Sequence, residues 1–151
     1  MAEKKYVIFK LGEEEYGIDI MKVKEVTEYK ETVKVPNTPD FVEGIINLRG
    51  DVTPIISLKR RFGLNHDTAL ETTRVIVVNL EDRLVGFIVD DASQVLSLDD
   101  NQIDSAPEIV TGIGKKYIEG IGKVEDRMII MLDLLQVLDE DEKKELMDVN
   151  N

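Results

Sequence analysis

The chain is expected to fold as a mostly-β protein built from two copies of one unit, arranged as small barrels or as a sandwich. Three observations lead there. The run Tyr6-Val-Ile-Phe-Lys-Leu11 with Glu15-Tyr-Gly17 returns 69 positions later as Val75-Ile-Val-Val-Asn-Leu80 with Leu84-Val-Gly86, and Glu43-Gly-Ile-Ile-Asn-Leu48 returns 76 positions later as Glu119-Gly-Ile-Gly-Lys-Val124. Carried on without gaps, the second match places Val52, Ile55, Ile56, Leu58 and Phe62 on Met128, Met131, Leu132, Leu134 and Leu138. The apolar residues fall in short strand-like runs bounded by polar turns. Finally, the chain shows no long crossover connection, which argues against a βαβ fold.

Taken in order, Tyr6 to Leu11 and Glu15 to Ile18 flank a Gly-Glu-Glu turn and predict the first hairpin. Asp19 can cap a short helix in which Ile20, Val23 and Val26 fall at helical spacing. From Val26 to Phe41 the chain reads as loop, punctuated by Pro36 and Pro39. Asn47-Leu-Arg-Gly50 ends the next strand and Val52 to Leu58 returns from it, with Pro54 pointing to an edge or a bulge. Ser57 to Phe62 and Asp133 to Leu138 hold matching places in the two copies and predict short helices. Arg74 to Leu80 pairs with Leu84 to Val89, and Ile118 to Val124 with Met128 to Leu132, across short acidic turns. Asp99 to Ile103 predicts a turn of helix capped by Ser97 or Asp99. Asp133 to Met147 predicts one longer helix with Leu134, Leu135, Val137, Leu138 and Leu146 as its apolar set, and its tail Glu140-Asp-Glu-Lys-Lys-Glu145 is expected to fray. The second copy is longer around Pro107 to Lys116, which accounts for the two offsets.

Composition bounds the function. A chain of 151 residues buries enough surface to fold without staples. Cysteine is absent, so disulfides and thiolate metal sites are excluded, which fits a reducing compartment. No apolar run reaches the length of a membrane span, and Met-Ala-Glu-Lys-Lys leads straight into a strand rather than a signal peptide, so the cytoplasm is expected. A net charge of -12 repels phosphate backbones and anionic lipid, so neither nucleic acid nor membrane insertion is expected. The basic cluster Lys59-Arg60-Arg61 reads as a solvated helix face.

Reactive chemistry is sparse. The single histidine, His66, sits in the polar run Gly63-Leu-Asn-His-Asp-Thr68, and serines 57, 93, 97 and 105 lie in no nucleophile-elbow context. Gly112-Ile-Gly-Lys-Lys116 lacks the spacing and the hydroxyl residue of a phosphate loop. The acidic pairs Asp90-Asp91 and Asp99-Asp100 and the run Glu140-Asp-Glu142 lack the alternation of a calcium loop. These residues point to a binding module rather than a catalyst, with no cofactor or metal. The rival reading is a small metal-dependent hydrolase built on converging carboxylates.

At the residues that carry the duplication the chain resembles the CheW family of chemotaxis coupling proteins. The resemblance runs from about Lys5 to Leu138. It is carried by Glu14-Glu-Tyr-Gly-Ile-Asp-Ile20 with Lys22-Val-Lys-Glu-Val26, and by Pro36-Asn-Thr-Pro39 with Phe41-Val-Glu-Gly-Ile-Ile-Asn-Leu-Arg-Gly50 and Val52-Thr-Pro-Ile-Ile-Ser-Leu58. Leu84-Val-Gly-Phe-Ile-Val-Asp90, Val95-Leu-Ser-Leu98 and Asp126-Arg-Met-Ile-Ile-Met-Leu-Asp133 complete it in order. The resemblance implies two interlocked SH3-like five-stranded β-barrels in a single domain over 1–151. Lobe 1 would span about 15–82, lobe 2 about 83–138 with the N-terminal strand 1–14, and 139–151 would be a polar tail.

It also implies a non-enzymatic adaptor joining the cytoplasmic tip of chemoreceptors to the regulatory domain of the histidine kinase CheA, at membrane receptor arrays. The same adaptor fold would equally serve a chemosensory pathway that does not control flagella. The receptor-binding groove would involve Val23, Glu25, Gly44, Arg49, Val75, Gly86 and Val95. The three valines stay open between core and contact, and the two glycines between contact and tight backbone. Arg49 lies among apolar residues, so a partner is expected for it, and Glu25 is the chosen carboxylate, in a partly buried pair. Kinase contacts on the second lobe would involve Asp104, where many members carry a basic residue, and Ile109.

Overall fold

The computed structural model describes residues 3–64, 71–105 and 117–149. His66, Ile109 and the Gly112 to Lys116 run lie outside the described residues. Eleven strands are present among those described: β1 (Glu3–Leu11), β2 (Glu14–Asp19), β3 (Val23–Glu28), β4 (Val42–Leu48), β5 (Asp51–Ser57), β6 (Arg74–Leu80), β7 (Arg83–Val89), β8 (Asp91–Asp99), β9 (Ile103–Asp104), β10 (Ile118–Val124) and β11 (Arg127–Leu132). Two helices accompany them, α1 (Leu58–Arg61) and α2 (Glu140–Val149). The hairpin turns are tight, with Arg49 and Gly50 at φ 50 and 90 and Glu81 and Asp82 at φ 50 and 68. Positive φ at both central residues matches the turn's twist to that of the strands.

The strands form a five-stranded sheet in the order β3-β6-β7-β5-β4 and a six-stranded sheet in the order β8-β1-β2-β11-β10-β9. The pairing pattern repeats. In each sheet an edge strand pairs with a hairpin, and that hairpin runs parallel to the return strand of a second hairpin, β7 beside β5 in one and β2 beside β11 in the other. The central hairpin of each sheet belongs to the other sequence copy, because β6 and β7 from the second repeat sit between β3 and β5 from the first. The two copies therefore interlock. The continuous apolar runs Tyr6–Phe9 and Val75–Val78 explain the exchange, since each is buried throughout and needs cover on both faces.

That cover comes from three clusters. A shared core joins Val7, Phe9, Ile18 and Leu132 of the six-stranded sheet to Ile56, Ile76, Val78 and Phe87 of the five-stranded one. Each sheet also has an apolar cluster of its own on the opposite face, Tyr6, Ile8, Leu98, Ile129 and Met131 in one and Ile46, Leu48, Ile55, Val75 and Val77 in the other.

Several expectations need correction. The expected lobe boundaries 15–82 and 83–138 do not follow the sheets, since β2 pairs in the six-stranded sheet and β7 in the five-stranded one. The described chain crosses between sheets at the 3-10 turn Ile20–Lys22 and again at Asp90. Asp19 does cap that turn, accepting from the Met21 N–H at 2.9 Å, but the helix stops after three residues and Val23 opens β3. Pro54 lies in an interior strand, opposite Ile45, one residue before the parallel register with β7 begins. The single helix expected over Asp133–Met147 is two pieces, a 3-10 turn at Leu134–Gln136 and then α2. α2 restarts because Asp139 and Glu142 exchange side-chain and backbone hydrogen bonds, both at 2.8 Å, in a capping box. Leu146, one of the expected apolar set, anchors α2 in the shared core, and Glu140 to Glu145, expected to fray, is helical.

Lys59-Arg60-Arg61 is not a solvated face. Lys59 pairs with Asp90 at 3.0 Å, Arg60 with Glu43 at 3.3 Å and Arg61 with Glu142 at 3.2 Å.

Candidate functional site

Six of the seven expected groove residues lie on the five-stranded sheet or its hairpin tip, and Val95 lies on β8 of the other sheet. Strand register brings three of them into one row. Glu25 stands opposite Val77, Val77 opposite Gly86, Gly86 opposite Ile55, and Ile55 opposite Gly44. Residues in such a row share a face of the sheet.

Both glycines are required by packing. A Cβ on Gly86 would lie 2.6 Å from Ile55 Cδ1 and from Val75 Cγ1, so those side chains fill the space its own would take. Gly44 has φ 150 at a bulge, and a Cβ there would lie 2.4 Å from the Val33 carbonyl oxygen. That close approach lets Val33 and Ile45 exchange two backbone hydrogen bonds of 2.9 Å, fastening the 29–41 segment to β4. Gly120, 76 positions on, meets the Asp104 carbonyl oxygen in the same way.

The three valines separate. Val75 is 1% exposed and belongs to the five-stranded sheet's own cluster, so it is core. Val23 is half-buried against the shared core, opposite Val78. Val95 is 52% exposed and stands opposite Val7, whose side chain lies in that same core. Val23 and Val95 thus sit on the seam-facing sides of edge strands β3 and β8, one on each sheet. They do not surround Gly86, which faces the other cluster.

Arg49 and Glu25 are paired. Arg49 Nη1 donates to Glu25 Oε1 at 2.9 Å, and Nη2 donates to the same oxygen. The Arg49 side chain is 65% exposed because it occupies the β4–β5 tip, whereas that of Glu25 is 26% exposed, so the pair is exposed at the guanidinium and partly buried only at the carboxylate. Its counterpart on the other sheet was missed. Arg127 donates from Nε and Nη2 to the two oxygens of Glu15 at 3.0 and 2.7 Å, and from Nη2 to Gln94 Oε1 at 2.7 Å. The hydrogen bonds from Arg127 hold the Glu15 carboxyl below its ordinary range, against a smaller opposing effect of burial. Gln94 stands opposite Ile8 as Glu25 stands opposite Val77, 69 positions on, so the repeat itself carries the signal.

At the ends of the sheets, Val52 and Met128 are exposed at positions 76 apart. Polar depressions of about 620 and 600 Å3 lie between the hairpin tips, beside Val52 and Asp82 in one and Glu15 and Arg127 in the other. Asp104 lies on β9 and pairs with Lys123 at 2.7 Å, both half-exposed. Among the described residues no three histidines or carboxylates converge where they could hold a metal ion, and no helix is long and apolar enough to cross a membrane.

Exposed apolar side chains along a seam, charged pairs bracing the hairpin tips and interlocked sheets define a protein-binding module. The sequence matches the CheW-like domain over residues 5–142. It is 44% identical over 140 residues to the chemotaxis protein CheW of Klebsiella aerogenes, covering 91% of this chain and 82% of that one. To CheW of Treponema pallidum it is 37% identical over 144 residues, covering 93% and 85%. The crystal structure of the scaffolding protein TtCheW from Thermoanaerobacter tengcongensis superposes with a TM-score of 0.84 at 40% identity, covering 94% of this chain and 92% of that one. The chain belongs to the CheW family, whose members are non-enzymatic adaptors of chemotaxis.

Proposed function

We infer that the protein is a scaffold that couples chemoreceptors, the methyl-accepting chemotaxis proteins, to the histidine kinase CheA. The observation that carries this reading is the family match over residues 5–142 together with the 40% identical scaffolding protein of the same fold. Its place is the cytoplasm, at receptor arrays in the membrane. The framework is two interlocked SH3-like barrels. Support for curled sheets comes from the two private clusters, since a sheet with a core on the face away from its neighbour must cover that core with its own edges.

The receptor's cytoplasmic tip, a helical hairpin, docks along the seam against Val23 and Val95 in the helix-in-groove manner. Glu25 and Arg49 brace edge strand β3 behind that groove, on the face away from the seam, and Gly44, Val75 and Gly86 support it from inside the sheet. The regulatory domain of CheA docks at the barrel ends, with Asp104 and Ile109 on the second lobe. Affinity capture with the CheA regulatory domain from the same cell, with and without a receptor tip fragment, tests the reading. The expected outcome is binding of each partner alone and a ternary complex with both. Capture of neither overturns it.

A further inference from the structure

The chain passes between the two sheets at two points among the described residues, and a lysine–carboxylate pair stands at each. At the second crossing, Asp90 Oδ2 accepts from the Gly12 N–H at 2.6 Å and pairs with Lys59 Nζ at 3.0 Å. Gly12 is the β1–β2 turn of the six-stranded sheet, and Lys59 lies on α1, at the end of β5 in the five-stranded sheet. One carboxylate therefore ties both sheets to the crossing. At the first, Lys22 pairs at 3.3 Å with Asp133, which follows β11 and accepts from the Leu135 N–H at 3.0 Å.

The two arrangements join the same pair of elements in the two copies, one or two residues apart in repeat position, with the polarity reversed. Asp133 lies 76 positions after Ser57, the α1 cap. Their backbones repeat the same contact, Ser57 N–H to the Phe41 carbonyl and Asp133 N–H to the Tyr117 carbonyl, both at 2.8 Å. In one crossing the anion is on the crossing and the cation on the helix, and in the other the reverse. The lysine side chain at the second crossing is only 15% exposed, so it is held rather than waving in solvent. Immediately after these crossings begin β3 and β8, the two edge strands that carry Val23 and Val95.

We propose that Lys59–Asp90 and Lys22–Asp133 are matched clamps that set the separation of β3 and β8, and hence the width of the seam groove. These four are positioning residues, and their effect on partner binding rests on the reading of that groove as the receptor's. The shared core fixes which faces meet, but apolar contact is non-directional and tolerates small slides. Charged pairs on the crossings have direction and length, and so select one setting.

The test uses the whole chain. Because it has no cysteine, spin labels at Val26→Cys and Ser97→Cys, exposed positions on β3 and β8, report the separation without background. Lys59→Met with Asp133→Ser removes both clamps while keeping the helix cap, because serine already serves at position 57. The expected result is a longer or broader inter-label distance distribution and at least about fivefold weaker binding to a receptor tip fragment, with kinase binding unchanged. Lys59→Arg by itself keeps both readouts at their wild-type values. Lys22→Met, which touches neither cap nor carboxylate, shows half of the effect if the double variant folds poorly. A folded clamp-free variant with the wild-type distance distribution overturns the proposal. A wild type that ignores the receptor fragment overturns the reading of the groove instead, and the distances still decide the clamps.

Discussion

Single residues of the same type do different work here according to where the register places them. Arg49 and Arg127 each brace a hairpin tip, yet one is a surface pair and the other a forked pair with a third partner. For an exposed pair such as Arg49–Glu25, a double-mutant cycle to alanine in urea melts is expected to give a coupling of about 0.2 to 1 kcal/mol, below the larger values of partly buried pairs. Strictly additive effects would exclude the pairing. Glu15 supplies a pH signature. Its carboxyl is held below the ordinary value of 4.5 in the folded state, so its stabilising contribution is complete above that value and is lost as pH falls through the lowered one. The stability difference between wild type and Arg127→Met is therefore expected to be full at neutral pH and to shrink in acid towards what the Gln94 contact contributes. A difference that stays constant across an acid titration would contradict it.

At the scale of elements, glycines and caps decide where strands and helices meet. Gly44→Ala pushes a Cβ into the Val33 carbonyl and strains a backbone at φ 150, so it is expected to release the 29–41 segment while leaving the sheet. Faster amide exchange at Val33 and Ile45, with the β6 and β7 amides still protected, is the measurement. Protection at Ile45 equal to wild type would count against it. α2 is short and polar, and is held by its capping box and by Leu146. Leu146→Ala is expected to cost about 2 to 4 kcal/mol, and Asp139→Ala about 1 kcal/mol, in urea melts. A loss below about 0.5 kcal/mol for Leu146→Ala would mean that the helix is an ornament on the shared core.

For the molecule as a whole, interlocking makes the seam both a core and a border. Val75→Glu buries a charge in a place that is 1% exposed and is expected to abolish folding. Val95→Glu, on an exposed edge strand of the other sheet, is expected to leave the melting temperature and CheA binding intact while weakening receptor capture at least about tenfold. Loss of CheA binding alone in Val95→Glu would show that the two partner surfaces have been exchanged.

The duplication, the hairpins, the short helices at Ser57 and Asp133 and the character of a binding module were legible along the chain. Their signals are local: turn residues, caps and runs of apolar side chains act within a few positions. β3 was not legible, because Ile20, Val23 and Val26 also fit a helix. Only the alternating burial of Val23, Glu25 and Thr27 beside β6 reveals a strand. β8 is an edge strand with mostly polar, exposed residues and so carries little apolar signal. The Arg49–Glu25 pair could be anticipated from a charge placed among apolar residues, but its exposure could not. Which copy's hairpin fills which sheet, whether a valine is core or rim, and that Lys59, Arg60 and Arg61 each find a carboxylate were decided only by tertiary structure. Those outcomes depend on pairing between segments far apart in sequence, and two repeats of similar apolar pattern offer the same local signal to either sheet. Tyr6–Phe9 and Val75–Val78 are themselves equivalent runs, buried throughout in both copies, and only long-range pairing that covers both faces of each settles which sheet it joins.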